Sequence, residues 1–188
     1  MRRVLLLLIC CFFFFVSSCE VKENEEIIQS NANYVVTKIN NQYFCSIYNR
    51  QGDKIKYLGP TYKEPGVCLI NDHVIKYSTQ AGAGYSTRIT YYYDITSNIL
   101  SQKFYGVFDE TDDLVAYYGG VNQINVKSIF SDTTEIVIDD FDNILSPSVE
   151  PFVSVEFVDN NNSLAVKFFS GSEYVVKERI IPLNQEQS

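Results

Sequence analysis

From Tyr34 onward, apolar side chains recur at alternate positions in short runs, and polar clusters separate the runs. That period of two is the signature of a pleated strand, whose successive side chains point to opposite faces. Tyr34 to Ile39, Tyr43 to Tyr48, Lys54 to Leu58, Val67 to Ile70, His73 to Tyr77, Arg88 to Asp94 and Ile99 to Val107 read as strands. Asn40-Asn41, Gln51-Gly52-Asp53, Asn71-Asp72 and Thr96-Ser97-Asn98 between them carry the side chains that tight turns favour. Alternation nominates Val35, Phe44, Ile47, Leu69, Ile75, Ile89, Tyr91, Tyr93, Leu114, Val126, Ile129, Ile136, Ile138, Val153, Val155, Phe157, Val166 and Phe168 for the core. Composition agrees, because 14 Tyr and 13 Phe suit a half-buried pleated surface. The expected class is all-β and antiparallel.

The chain also repeats itself. Ser46-Ile47-Tyr48-Asn49, Tyr91-Tyr92-Tyr93-Asp94, Lys127-Ser128-Ile129-Phe130 and Val166-Lys167-Phe168-Phe169 each lead into a polar turn, and Tyr48, Tyr93, Phe130 and Phe169 lie 45, 37 and 39 residues apart. A period near 40 with about four strands per unit resembles the spacing of propeller blades, small sheets that bury their faces against one another. The resemblance implies propeller-like repeats; a β-sandwich or an open part-propeller uses the same strands and stands as the alternative.

The N-terminus is patterned differently. Arg2 and Arg3 precede an uninterrupted apolar run from Val4 to Val16, thirteen residues long. A membrane-spanning helix needs roughly 20 such residues, so the run is read as a signal peptide over residues 1–18. Val16-Ser17-Ser18-Cys19 resembles the bacterial lipobox, with Val16 where Leu is commonest and Ser18 where Gly or Ala is. That resemblance implies cleavage before Cys19, acylation of its thiol, and a membrane-anchored protein of the cell envelope facing the periplasm or the exterior. Residues 19–32, with Glu20, Glu23, Glu25 and Glu26 among polar neighbours, are expected to be a lipidated cysteine and an acidic tether. The single β domain is then 33–183, and 184–188 is a polar tail.

Charge narrows the partners. The chain carries 15 Lys and Arg against 23 Asp and Glu, a net charge of −8. Loss of Arg2 and Arg3 takes it to −10, a poor match for a phosphate backbone, so no nucleic acid is expected. Cys45 and Cys68 remain as a possible disulfide if the protein is exported, although both lie in apolar, strand-like stretches where a free thiol packs as a small hydrophobe. Neither has a second Cys or a His at ligand spacing, and no metal or cofactor is expected.

Candidate chemistry is sparse. His73 is the sole histidine, with no Gly-x-Ser-x-Gly elbow to accompany it. Ala81-Gly82-Ala83-Gly84-Tyr85-Ser86 lacks the Lys and Ser/Thr ending of a phosphate loop and reads as a loop opening a strand. The acidic clusters at 109–113 and 139–142 lack the ligand order of a calcium loop and read as solvated turns. Tyr85, Tyr92 and Tyr117 are the possible partner contacts, since an outward aromatic ring offers a large contact area at low entropic cost. The reading is a lipid-anchored, non-catalytic binding or assembly module. The alternatives are an envelope hydrolase or accessory using carboxylates, and an inhibitor or immunity-type protein for a basic partner. Oligomeric state is left open.

Overall fold

The computed structural model describes residues 25–131, 135–141 and 150–183. The signal segment, Cys19 and the polar tail lie outside the described residues.

The chain is all-β, arranged in four antiparallel sheets laid down in sequence order without crossovers. Sheet I holds β1 (Glu25–Ser30), β2 (Tyr34–Ile39), β3 (Gln42–Tyr48) and β4 (Lys54–Thr61). Sheet II holds β5 (Gly66–Leu69), β6 (Val74–Gln80), β7 (Arg88–Asp94) and the short β8 (Ile99–Leu100) and β9 (Phe104–Tyr105), both paired with β7. Sheet III holds β10 (Val107–Glu110), β11 (Leu114–Gly120), β12 (Gln123–Ser128) and β13 (Ile136–Ile138). Sheet IV holds β14 (Phe152–Val158), β15 (Ser163–Ser170) and β16 (Val175–Pro182). A 3-10 turn at Tyr85–Thr87 interrupts this plan.

Three separate cores join these sheets in a row. Tyr34, Val36, Cys45 and Ile47 of sheet I pack with Val67, Ile75, Tyr77 and Tyr93 of sheet II. Val74, Tyr92 and Phe104 on the opposite face of sheet II meet Val115 and Ile129 of sheet III. Ala116, Ile124, Val126 and Ile138 of sheet III meet Phe152, Val155, Leu164, Val166 and Phe168 of sheet IV. Sheets II and III therefore bury both faces, whereas sheets I and IV each bury one.

Local chemistry explains the turns. Asn40 and Asn41 both sit at positive φ (50° and 62°), as a two-residue hairpin requires. Asn98 does the same at 59° between β7 and β8. The side chains of Asn31, Asn71 and Thr111 accept hydrogen bonds from backbone N–H groups two and three residues on, closing the turns before β2, β6 and β11.

Several expectations need correction. Glu25–Ser30, expected as part of a solvated tether, is an edge strand paired with β2. Its glutamates point to water while its backbone bonds to Tyr34–Ile39, and Gln29 Nε2 donates to Tyr34 Oη (2.6 Å) and to the Val67 carbonyl (3.2 Å). Charge on an edge strand guards against pairing with other chains and does not oppose the strand itself. Residues 25–30 thus belong to sheet I and not to a solvated tether.

The expected strand Ile99–Val107 is broken into β8, β9 and the start of β10. Ser101 Oγ accepts from the Tyr92 N–H (2.9 Å) in place of a ladder carbonyl, and Gly106 turns the chain at φ +55°. In the core list, Val35 is one residue out of phase, the buried neighbours being Tyr34 and Val36. Leu69, Ile136 and Val153 are exposed, Val153 because the register of β14 shifts between Phe152 and Ser154.

Cys45 and Cys68 are both free, one buried and one exposed. Val67 packs in the same core as Cys45, so the next residue of β5, Cys68, points to the other face of sheet II. The alternation that made both cysteines look core-facing also keeps them apart.

Candidate functional site

On β6 and β7, the face toward sheet III is apolar at one end only. The cross-strand register sets Lys76 opposite Tyr92, Ser78 opposite Thr90 and Gln80 opposite Arg88. Val74 and Tyr92 fill the core with sheet III, and beyond them the face turns polar. Where the apolar stripe stops, the sheets leave a cleft of about 320 Å³, lined chiefly by Lys63, Lys76, Ser78, Arg88, Thr90 and Val107. Gly66 and Glu64 complete one wall.

One lining cation of this cleft, Lys76, is held in an ion pair that bridges two sheets. Lys76 Nζ lies 2.5 Å from Glu110 Oε1, with both side chains largely covered. The Tyr92 hydroxyl donates to the other oxygen, Glu110 Oε2, at 3.2 Å. Burial, then the Glu110 charge, pushes the Tyr92 phenol well above the usual tyrosine range, so it stays a neutral donor. Ser78 and Thr90 share a hydroxyl–hydroxyl bond of 3.1 Å above this pair. Arg88 reaches Glu150 at 3.5 Å and lies 5.0 Å from the centre of the Tyr85 ring. Lys63 has no carboxylate within ion-pair reach among the described residues.

The three nominated tyrosines take different places around this cleft. Tyr92 is fully buried, 0% exposed, and cannot contact a partner. The expectation of an outward Tyr92 assumed that one face of β7 meets water; here a neighbouring sheet covers each face. Tyr85 is a strut between sheets: its hydroxyl donates to the Phe152 carbonyl (2.9 Å), and its ring packs 4.7 Å from Phe108 and 5.5 Å from Tyr118. Burial and the neighbouring Glu150 charge raise its phenol to about 12. Tyr117 is half-buried, edge-on to Phe104 at 5.1 Å. None of the three lines the cleft; Tyr85 touches its lining residue Arg88, and Tyr92 holds Glu110, the partner of Lys76.

The other sequence candidates resolve into structural roles. His73 lies exposed in the turn before β6, its backbone N–H bonded to Asn71 Oδ1. In the first acidic cluster, Asp109 accepts from the Phe157 N–H (2.7 Å), Glu110 pairs with Lys76, and Asp112 accepts from Asn71. Asp140 of the second cluster is gripped by both Arg179 guanidinium nitrogens at 3.0 and 2.9 Å. Among the described residues, no group of three His, Cys, Asp or Glu side chains is placed to hold a metal ion. The cationic residues of the cleft escaped sequence reasoning. Their signal was the polar half of two otherwise apolar strands, Lys76-x-Ser78-x-Gln80 and Arg88-x-Thr90, which by itself reads as a solvated face.

No family model matches the chain, and no curated protein does. Among solved structures, a computationally designed protein, Ika4, is 12% identical with a TM-score of 0.40, covering 85% of this chain and 92% of its own. Hsv2 of Kluyveromyces lactis is 13% identical with a TM-score of 0.43, covering 80% of this chain and 49% of its own. The chain therefore spans about half the length of Hsv2. Likeness this loose identifies no function.

Proposed function

We propose that this protein is a lipid-anchored, non-catalytic binding module of the bacterial envelope, built from consecutive propeller-like sheets, whose cleft takes a small ligand bearing a carboxylate. The lipobox-like Val16-Ser17-Ser18-Cys19 supports the anchor, and the chain order of four meandering sheets supports the blade reading. One observation carries the ligand class: within a chain of net charge −8, three cations and two hydroxyls converge on a single cleft beside one carboxylate, Glu64, and Lys63 among them has no ion-pair partner among the described residues. An ammonium and a guanidinium provide charge-assisted donors for a carboxylate, and Ser78, Thr90 and Gln80 suit the hydroxyls or amides of the same molecule. The volume lies at the lower end of ligand sites and suits a small metabolite. Binding is favoured over catalysis because the cleft offers donors without a nucleophile placed beside a base.

Calorimetric titration of the acylated protein in detergent with D-galacturonate, and with its neutral parent D-galactose, tests the ligand class. The acid is expected to bind at least tenfold tighter than the neutral sugar, and Lys63→Ala to abolish most of that difference. Equal affinities, or acid binding indifferent to Lys63→Ala, would refute the carboxylate reading. Palmitate incorporation lost in Cys19→Ala tests the anchor separately.

A further inference from the structure

Inside the chain one kind of junction is made three times: the trailing face of each sheet packs on the leading face of the next. The leading face of sheet I and the trailing face of sheet IV have no such partner among the described residues, and no core joins sheet IV back to sheet I. An array of this kind normally ends in polar capping faces. These ends are not capped in that way.

The leading face of sheet I presents Ile27, Val35 and the stacked pair Phe44 and Tyr57, whose ring centres lie 5.3 Å apart. Ile27 is 66% and Tyr57 51% exposed. A shallow groove of about 600 Å³ runs along this face. The trailing face of sheet IV presents Phe169, Val176 and Ile180, placed on one side by the β15–β16 register and opposite the buried Leu164, Val166 and Phe168. Ile180 is 64% and Val176 52% exposed.

Charge does not forbid contact. The groove on sheet I carries Glu25 and Lys54, and sheet IV carries the cross-strand pair Lys167 and Glu178 at 3.9 Å. Sheet I thus presents one cation with one anion, and sheet IV one cation with two anions, Glu156 lying on the same face opposite Ala165, so little of the net −8 is concentrated where the ends would meet.

We infer that a second copy of this chain continues the stack, the trailing face of sheet IV in each protomer packing on the leading face of sheet I in the other, so that two chains close on one another about a two-fold axis. The warrant is continuity: the missing junction is the one the chain already makes three times, and the end faces carry the same aliphatic and aromatic side chains. A junction between unlike faces closes only if the geometry returns to its start; otherwise it grows into a filament. Closure makes both junctions equivalent and leaves no apolar end.

Cysteine cross-linking of the full acylated protein in membranes, in a Cys68→Ser background, distinguishes the arrangements. Chains carrying Tyr57→Cys alone and Ile180→Cys alone are expected to stay uncross-linked, whereas the two co-expressed give a disulfide-linked dimer. Cross-linking of Tyr57→Cys with itself would mean a sheet I to sheet I contact and overturn the inference. A ladder of higher species from the double variant would overturn closure. Sedimentation in density-matched detergent is expected to give twice the protomer mass, falling to one protomer in Tyr57→Lys and in Ile180→Lys with unchanged circular dichroism. A single-protomer mass in the unsubstituted protein overturns the proposal, including the case where the chain's own N-terminal segment covers sheet I.

Discussion

In β7, at the middle of the stack, the consecutive residues Tyr92 and Tyr93 are both buried, at 0% and 2% exposure. In β16, at its end, the consecutive residues Val175 and Val176 are both more than half exposed. The two strands share antiparallel pairing and β-favouring side chains, but β7 is an inner strand of a sheet covered on both faces, whereas β16 is the edge strand of the last sheet. Strand alternation states that a segment has two faces. How many of them are covered is a property of the neighbours, and it separates side chains that hold the fold together from side chains left available for contact.

The sharpest way to break that comparison is to truncate one aromatic ring in each setting. Tyr92→Ala removes a ring packed 5.8 Å from Phe104 and leaves the Glu110 carboxylate short of a donor, and is expected to cost about 3–5 kcal/mol. Tyr57→Ala, at sub-micromolar protein where copies are apart, should cost less than about 1 kcal/mol. Urea unfolding midpoints compare the two. Equal losses would mean that sheet II is no better covered than sheet I.

Glycine gives a smaller version of the same contrast. A Cβ on Gly106 would stand 2.6 Å from that of Tyr85 and 2.9 Å from that of Tyr118, at φ +55°, so Gly106→Ala must displace the strut between sheets as well as strain the backbone. About 2–4 kcal/mol is expected. Gly52, in the β3–β4 turn, has φ +86° and open space around it, so Gly52→Ala bears only the backbone cost of about 1–2 kcal/mol. Thermal melts of the two variants sharpen the comparison, and a Gly106→Ala no worse than Gly52→Ala would remove Tyr85 from its role as a strut.

The smallest effect is expected at a solvent-exposed ion pair, that of Asp140 with Arg179. Hydrogen bonds from Arg179 hold the Asp140 carboxyl below its ordinary value. A depressed folded-state pKa contributes stability at pH values above the unfolded pKa, and that contribution disappears as pH falls through the folded value. Asp140→Asn should therefore cost under about 1 kcal/mol at neutral pH, and the difference from the unsubstituted protein should vanish as the pH falls through the depressed folded-state value. A gap that persists in acid would point to packing of Arg179 on Phe141, which lie 5.6 Å apart, and away from the charge.

Much of the strand layout was legible because it depends on local chemistry. Asn40-Asn41 and Asn98 mark turns through their tolerance of positive φ, and β2 and β7 fall where alternation sets them. The four aromatic landmarks fall one to a sheet, Tyr48, Tyr93 and Phe169 in β3, β7 and β15 and Phe130 just after β12. What failed depended on distant residues. Val35 and Val36 are equally apolar, and only the position of sheet II selects Val36 for the core. The acidic β1 carries too little hydrophobicity to announce itself, and exists because β2 offers a free edge.

The sequence by itself determined the all-β class, the strand period and many of the turns, because φ preferences and two-residue alternation act within a few residues. Only tertiary structure decided that Tyr92 is buried between two sheets instead of lying on a surface, that Cys45 and Cys68 face apart, and that Lys63, Lys76 and Arg88 share a cleft. Those outcomes require one sheet to stand against another, and the alternation of a single strand is the same whichever neighbour arrives.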